Sequence, residues 1–471
     1  ATGLGLLVGP LLANLLMEMS VPGANQSITM WAVIKGLLSG VGVSLLGAWM
    51  ACREEPWHPA LRWLLLSTLM VGLLVGLVHE GSGLLGAFVA VFALCLLGTL
   101  GVRPLLKQMR ARARGGAGSL LARIGVREVV WHPAESSVAI GALALAVGAS
   151  MGVGIMVENF RSDFTAMLDQ RLAHDTFVTS AGRSVQQPYQ WLREAAPLAV
   201  VQRYGRVRHR LGPLAVELGY TDFTAAEAAR YGLARALADS ETLISERLAR
   251  ALDVQPGDSL PGSPTLKVVG VFPGFGEPGM RALVSNATAR SMGVATHFDR
   301  MSVSGLESDM LGQWVSAFPW LQTQSRAQMR TVALEIFDRT FAITRVLTLL
   351  SLVVAAVGMY NALLALRLNQ TRSEKLLQAL GVTDRERRGI AMRRAAMVGG
   401  ASMLLALPLG IGMAWLLCEV VNPRAFGWSL NFSPAIAEIA LPLSLAFLVA
   451  MVTGLLPMPP GERAIAEVEG V

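Results

Sequence analysis

Charge is scarce in this chain. Of its 471 residues only 15% are Asp, Glu, Lys or Arg, while 53% are hydrophobic. Soluble globular proteins carry roughly 25% charged residues, so the deficit excludes an ordinary cytosolic enzyme. Cysteine is equally sparse: Cys52, Cys95 and Cys418 all fall inside apolar blocks, which leaves no disulfide framework and no metal-ligand spacing. The six histidines, at 58, 79, 132, 174, 209 and 297, form no HExxH or comparable ligand pattern. No G-x-x-x-x-G-K-S/T run exists, so the chain has no phosphate loop. It opens at Ala1 within an apolar run, without the basic segment and cleavage site of a secretory signal. This reads as a chain that begins partway through a longer protein.

What is present is a series of long apolar runs. A membrane-spanning helix needs about 20 mostly apolar residues, and eight segments fit: 1–17, 28–52, 61–79, 84–100, 138–157, 341–366, 391–418 and 436–457. Small residues four apart, at Gly5/Gly9, Gly36/Gly40, Gly72/Gly76 and Gly148/Gly152, are the spacing that lets such helices approach closely. Gly148-Ala-Ser150-Met-Gly152 also fits the pattern of a nucleophile elbow, but that motif requires a strand–turn–helix setting and this one lies in mid-span. Ionisable residues near the spans (Lys35, Arg345, Glu419, Glu438) sit at their ends, so no charged path crosses the membrane.

The distribution of basic residues sets the orientation. Loop 101–137 carries seven Arg or Lys against Glu128 and Glu135, and loop 367–394 carries eight against three acidic residues. Short basic loops stay on the cytoplasmic side, which places the polar segment 158–340 outside. That segment holds 19 basic and 19 acidic residues, so the net charge of +7 belongs to the rest of the chain. The excess is read as positive-inside bias and attraction to anionic lipid. A nucleic-acid site would need basic residues interleaved with aromatics, and none is seen.

Beyond the fifth span Phe160, Phe164, Met167, Leu168 and Leu172 recur at helical spacing. A continuous helix over 138–172 would measure about 52 Å, longer than the roughly 30 Å hydrocarbon core, and should project outward as a stalk. Leu334, Phe337 and Phe341 predict a second stalk before the sixth span. Between them, residues 241–252 (ETLISERLARAL) look like one amphipathic helix, Asp253–Asp258 a turn, and Leu266–Phe272 and Arg281–Ser285 strands. Gly274-Phe-Gly276-Glu-Pro-Gly279 fits G-x-G-x-x-G but is followed by a strand rather than a helix, so it is read as a turn.

The cytoplasmic loop is the most organised stretch. Ser373 and Glu374 can start a short helix that Gly381 ends, and Thr383-Asp-Arg-Glu386 matches a capping box that starts the next one. Leu376, Leu377 and Leu380 would form an apolar stripe on the short helix, suited to a partner surface.

These residues carry a resemblance. Phe337-Asp-Arg-Thr-Phe341, Gly358, Arg372-Ser-Glu374, Leu377-Gln-Ala-Leu-Gly381-Val-Thr383, Pro408-Leu-Gly410 and Asn422–Trp428 resemble the FtsX-like (MacB/LolC-type) permeases of ABC transporters. Ile244–Ala249, Val254–Asp258 and Val268–Val271 are similar to that family's periplasmic core domain. Gln378 departs from the pattern, where the family commonly has Arg. The resemblance implies an α-helical polytopic membrane protein with an extracytoplasmic α+β domain on two helical stalks. Its parts would be residues 1–52, the last two spans of a truncated first repeat; 53–137, a linking hairpin and basic loop; 138–176, a span plus stalk; 177–330, the outer domain; and 331–471, a stalk and three-span permease domain.

The implied function is that of a non-enzymatic permease subunit of a type VII transporter in the bacterial plasma membrane, with its C-terminus cytoplasmic. It would bind no cofactor itself; ATP and Mg would sit on a cytoplasmic ABC ATPase dimer. A second permease, a periplasmic adaptor or substrate-handling protein and membrane lipids are the further partners, and a lipid or lipoprotein the substrate. Arg372, Glu374, Lys375, Leu377, Gln378, Leu380, Gly381 and Thr383 would couple to the ATPase, and Phe160, Phe164, Leu168, Phe337 and Phe341 would transmit motion along the stalks. The alternative within the resemblance is an FtsX-type signalling or scaffold subunit that regulates an extracytoplasmic partner such as a cell-wall hydrolase.

Overall fold

The computed structural model describes residues 59–78, 83–114, 129, 133–211, 214–260, 266–274, 279–342, 346, 350, 353, 357 and 383–455. The chain divides into two compact units, one formed by residues 1–151, 342–413 and 439–471 and the other by 152–341 and 414–438. The candidate spans 1–17 and 28–52, and most of 341–366, lie outside the described residues.

The first unit is helical. The helices Pro59–Val78 and Gly83–Leu100 lie over the apolar runs expected at 61–79 and 84–100, and the glycine spacing explains their packing. A Cβ on Gly76 would collide with the Gly86 carbonyl and come within 2.7 Å of Ala90 Cβ. The next helix, Val102–Arg114, buries Val102 and Leu106 one turn apart while Arg103 and Lys107 are exposed. Val102, Leu106, Ile140, Leu143, Val147, Val398, Ala406, Ala446 and Ala450 make one core. Small residues set its spacing here too: a Cβ on Gly148 would lie 3.0 Å from Leu409. Glycine, not a nucleophile, is what that motif contributes.

Three helical stretches among the described residues are long and apolar enough to cross a membrane, Gly83–Met109, Ala139–Arg171 and Arg388–Phe426, and Ile436–Val452 is a shorter apolar helix. The helix Asp384–Leu416 contains Pro408. Its start is the predicted capping box: Glu386 Oε2 accepts from the Thr383 N–H and hydroxyl at 2.9 Å each, and the Glu386 N–H returns a bond to Thr383 Oγ1 at 3.4 Å.

The second unit is built on one mixed sheet of eight strands: β1 Thr176–Thr179, β2 Val200–Leu211, β3 Leu214–Thr221, β4 Glu241–Ser245, β5 Lys267–Phe272, β6 Arg281–Ser285, β7 Arg300–Ser304 and β8 Gln322–Ser325. Their order is β5-β4-β6-β3-β2-β7-β1-β8, with β3–β6 and β4–β5 parallel and the other pairs antiparallel. Four helices fill one face through Leu192, Leu248, Ala289 and Trp314. Leu237, Leu243, Phe272 and Leu283 form a smaller cluster on the opposite side of β4–β6.

The expectation of a single helix over 241–252 is corrected. Residues 241–245 are β4, and only Glu246–Leu252 is helical. β4 lies inside the sheet between β5 and β6, with Thr242, Leu243, Ile244 and Ser245 all buried. Side chains buried on both faces give a strand no polar–apolar alternation, so a short apolar run joined to a helix looks helical throughout. The strands expected at 266–272 and 281–285 are present as β5 and β6, and the turn at 253–258 is present with Asp253 left-handed at φ 52° and Gly257 at φ 107°.

Candidate functional site

The helix expected over 138–172 is continuous from Pro133 to Arg171. Its 39 residues span about 58 Å. A second helix covers 326–342. Within the second unit these helices meet through aromatic rings. Phe160 lies 5.3 Å from Phe337 and 5.4 Å from Phe341, between ring centroids, and Phe164 stacks on Phe337 at 5.5 Å. Phe337 and Phe341, one turn apart, are 4.5 Å from each other. Spacings of 4.5–7 Å are those of favourable aromatic pairs, each contributing about 0.5–1.5 kcal/mol beyond burial. Arg161 pairs with Asp338 at 3.1 Å and Arg330 with Asp169 at 3.0 Å. Both ion pairs are half-exposed and worth about 0–1 kcal/mol, so they set register while the rings hold the helices together.

A third element completes the cluster. Asp384–Leu416 is followed by a π-helical turn, Leu417–Val421, and a short helix, Asn422–Phe426. Gly427 then reverses the chain at φ 86°. Cys418, Trp428 and Leu430 are buried against Met156, Phe160, Phe164, Met167 and Phe432, and Trp428 stacks on Phe160 at 6.3 Å. The Asn431 N–H donates to Asp163 at 2.8 Å. On its other side the segment meets the helix after β4. Ser429 donates its N–H and hydroxyl to Glu246 at 2.7 and 2.8 Å, Arg250 donates to the Pro423 carbonyl at 2.8 Å, and the Arg247 stem occupies the space a Cβ on Gly427 would need, 3.1 Å away.

Four of the five predicted stalk residues are therefore brought together. Leu168 is half-buried on the same helix, but Met167 is the side chain that reaches the cluster. Trp428, Cys418 and Glu246 were missed as its partners. Of the predicted coupling residues only Thr383 is described; Arg372, Glu374, Lys375, Leu377, Gln378, Leu380 and Gly381 lie outside the described residues.

A buried polar network stands where the chain leaves the long helix and enters the sheet. Glu227 and Arg230 form a 2.7 Å ion pair with side chains 4% and 10% exposed, and Arg230 also donates to the Tyr204 hydroxyl at 3.1 Å. Burial raises the Glu227 carboxyl, with Arg230 opposing it, and burial and Glu227 raise the Tyr204 phenol. His174 lies 2.8 Å from Ser304 Oγ. Burial first, then Arg230, lowers it to about 4, with Asp175 opposing. Among the described residues no group of three His, Cys, Asp or Glu is placed to hold a metal ion.

Comparison with known proteins accords with this architecture. Residues 345–459 match the model of the FtsX-like permease C-terminal domain. An ABC transporter permease protein of Mycobacterium tuberculosis, described as uncharacterised, is 28% identical over an alignment of 522 residues that takes in 97% of this chain. The chain spans 61% of that relative's length. The helices long and apolar enough to cross a bilayer fit a membrane protein, and the chain is similar to the FtsX-like permease C-terminal domain over residues 345–459 and to an ABC transporter permease over nearly its whole length.

Proposed function

We propose that the chain is the membrane subunit of a type VII, mechanotransmission ABC transporter. A cytoplasmic ATPase dimer docks on residues 372–383, and its ATP-driven motion passes to the sheet domain on the far side of the bacterial plasma membrane. There the domain acts on a lipid, lipoprotein or other hydrophobic substrate without passing it through a pore.

The observation that carries this reading is the ring cluster of Phe160, Phe164, Phe337, Phe341 and Trp428. It joins the two helices that flank the sheet domain in sequence to the segment between the last two apolar helices. Close-packed interiors pass strain on rather than absorbing it, so the three elements move together.

The test is purification of the complete protein in mild detergent from its own membranes, with bound ATPase activity assayed. Leu377→Glu and Leu380→Glu should release the ATPase while the protein stays folded. Full retention of bound, stimulated ATPase by both variants would remove the docking role. Recovery of a cell-wall hydrolase bound to the sheet domain would turn the reading to an FtsX-type signalling subunit.

A further inference from the structure

β2 is twelve residues long, and its two neighbours cover different parts of it. β7 pairs with Val200–Tyr204 and β3 with Tyr204–Leu211. β7 goes no further because the chain just before it turns to other partners: the Phe298 carbonyl accepts from the Val185 N–H at 2.9 Å and the Asp299 carbonyl from the Ser180 N–H at 3.1 Å. Among the described residues, 205–211 have a strand on one side only.

Side-chain and main-chain directions along this free edge follow from the pairing. Leu211 and Leu214 are partners in register separated by two residues, so they close the hairpin ladder and bond each other. Alternation in an antiparallel ladder then points the main-chain N–H and C=O groups of Arg206, Arg208 and Arg210 away from β3, toward the open side. Val207 and Leu211 face the core, which puts the three arginine side chains on the opposite face, where all are exposed. They recur about every 7 Å, two strand residues apart. In residues 204–221 the only acid is Glu217, and it is shared between Arg206 at 3.1 Å and Arg281 at 3.5 Å.

A charged edge ordinarily keeps sheets from joining, and three like charges do repel a second copy of this strand. The same arrangement suits a strand of opposite charge. We propose that residues 206–210 of β2 are a strand-addition site for an extended acidic segment of another protein, with carboxylates on alternate residues. Such a segment would continue the line of β7. Main-chain bonds would supply affinity, and cross-strand pairing of carboxylates with Arg206, Arg208 and Arg210 would supply selectivity. An anionic lipid surface would satisfy the arginines but leave the main-chain groups unused, which is why a polypeptide is the better fit.

The experiment uses the full chain in nanodiscs of neutral lipid and a short fluorescent peptide alternating Glu and Thr. Anisotropy should report binding that weakens about tenfold or more when alternate peptide nitrogens are methylated at unchanged charge. Arg208→Glu with Arg210→Glu should weaken it by a similar factor, and a Lys–Thr peptide should not bind. The methylated-peptide comparison uses the unaltered protein, so it does not depend on the variants folding. No binding of the Glu–Thr peptide, or equal binding of its methylated form, would overturn strand addition. So would competition by vesicles of anionic phosphatidylglycerol at equal charge, since it would show that charge alone is recognised.

Discussion

Ser429 gives both its backbone N–H and its hydroxyl to one carboxylate, Glu246, at 2.7 and 2.8 Å. Glu246 opens the helix that follows β4, and Ser429 lies just past the turn at Gly427. The pair fastens the segment between two apolar helices to the sheet domain, while Asp163 fastens the same segment to the long helix through Asn431.

Replacing Glu246 by Gln should loosen this attachment. Hydrogen bonds to charged groups contribute about 1.5–3 kcal/mol, and the partial exposure of this one puts the loss near the lower end. Hydrogen exchange at the Ser429 amide should speed up severalfold while amides within β4 stay protected. Unchanged exchange at Ser429 would show that the carboxylate does not hold the segment.

The ring cluster should be the costliest place to truncate. Phe337 is 5% exposed and touches three other rings, so Phe337→Ala should destabilise the second unit by about 3–5 kcal/mol, with Phe337→Leu milder. Thermal unfolding in detergent, followed by circular dichroism, reads both. Phe341→Ala, at a more open position, should cost less.

Acid should weaken the sheet domain through His174. Its folded pKa, about 4, lies below the ordinary value near 6.5, so the unfolded chain binds the proton first. The stabilisation is complete above about pH 6.5 and is lost as pH falls toward 4, by up to about 3 kcal/mol. His174→Gln should flatten the stability profile across that window, as measured by thermal melts from pH 7 to 4.

At Gly76 the expectation is steric. An added Cβ meets the Gly86 backbone carbonyl and Ala90, neither of which can rotate away. Gly76→Ala should lower the melting temperature in detergent by an amount corresponding to about 1–3 kcal/mol, and Gly76→Leu should lower it further. Gly72→Ala, with only a Val89 methyl at 3.6 Å, serves as the tolerated control.

Hydropathy and periodicity made the long helices legible, and the i, i+4 spacing of Phe160, Phe164, Phe337 and Phe341 was enough to place them on facing stripes. β5 was readable as a short Val-rich run and β6 as a short apolar one, each preceded by turn residues. β4 was not, because burial on both faces removed its alternation and the helix behind it supplied a misleading continuation. The strand order was beyond reach for a different reason: β1 pairs with β7 and β8 across more than a hundred residues, and nothing local records such a partner. Trp428 joined the cluster in the same way, from far along the chain, and no spacing ties it to Phe160.

The π-helical turn at Leu417–Val421 has a consequence for how length varies in this region. Its i→i+5 bonding holds one residue more per turn than an α-helix does. Removing a single residue there would let the turn close into regular α geometry with the chain behind it nearly in phase, so Trp428 would keep the face that meets Phe160. A one-residue deletion at this point would thus act as a shortening rather than a rotation, whereas the same deletion inside Asp384–Leu416 would turn everything behind it by about 100°.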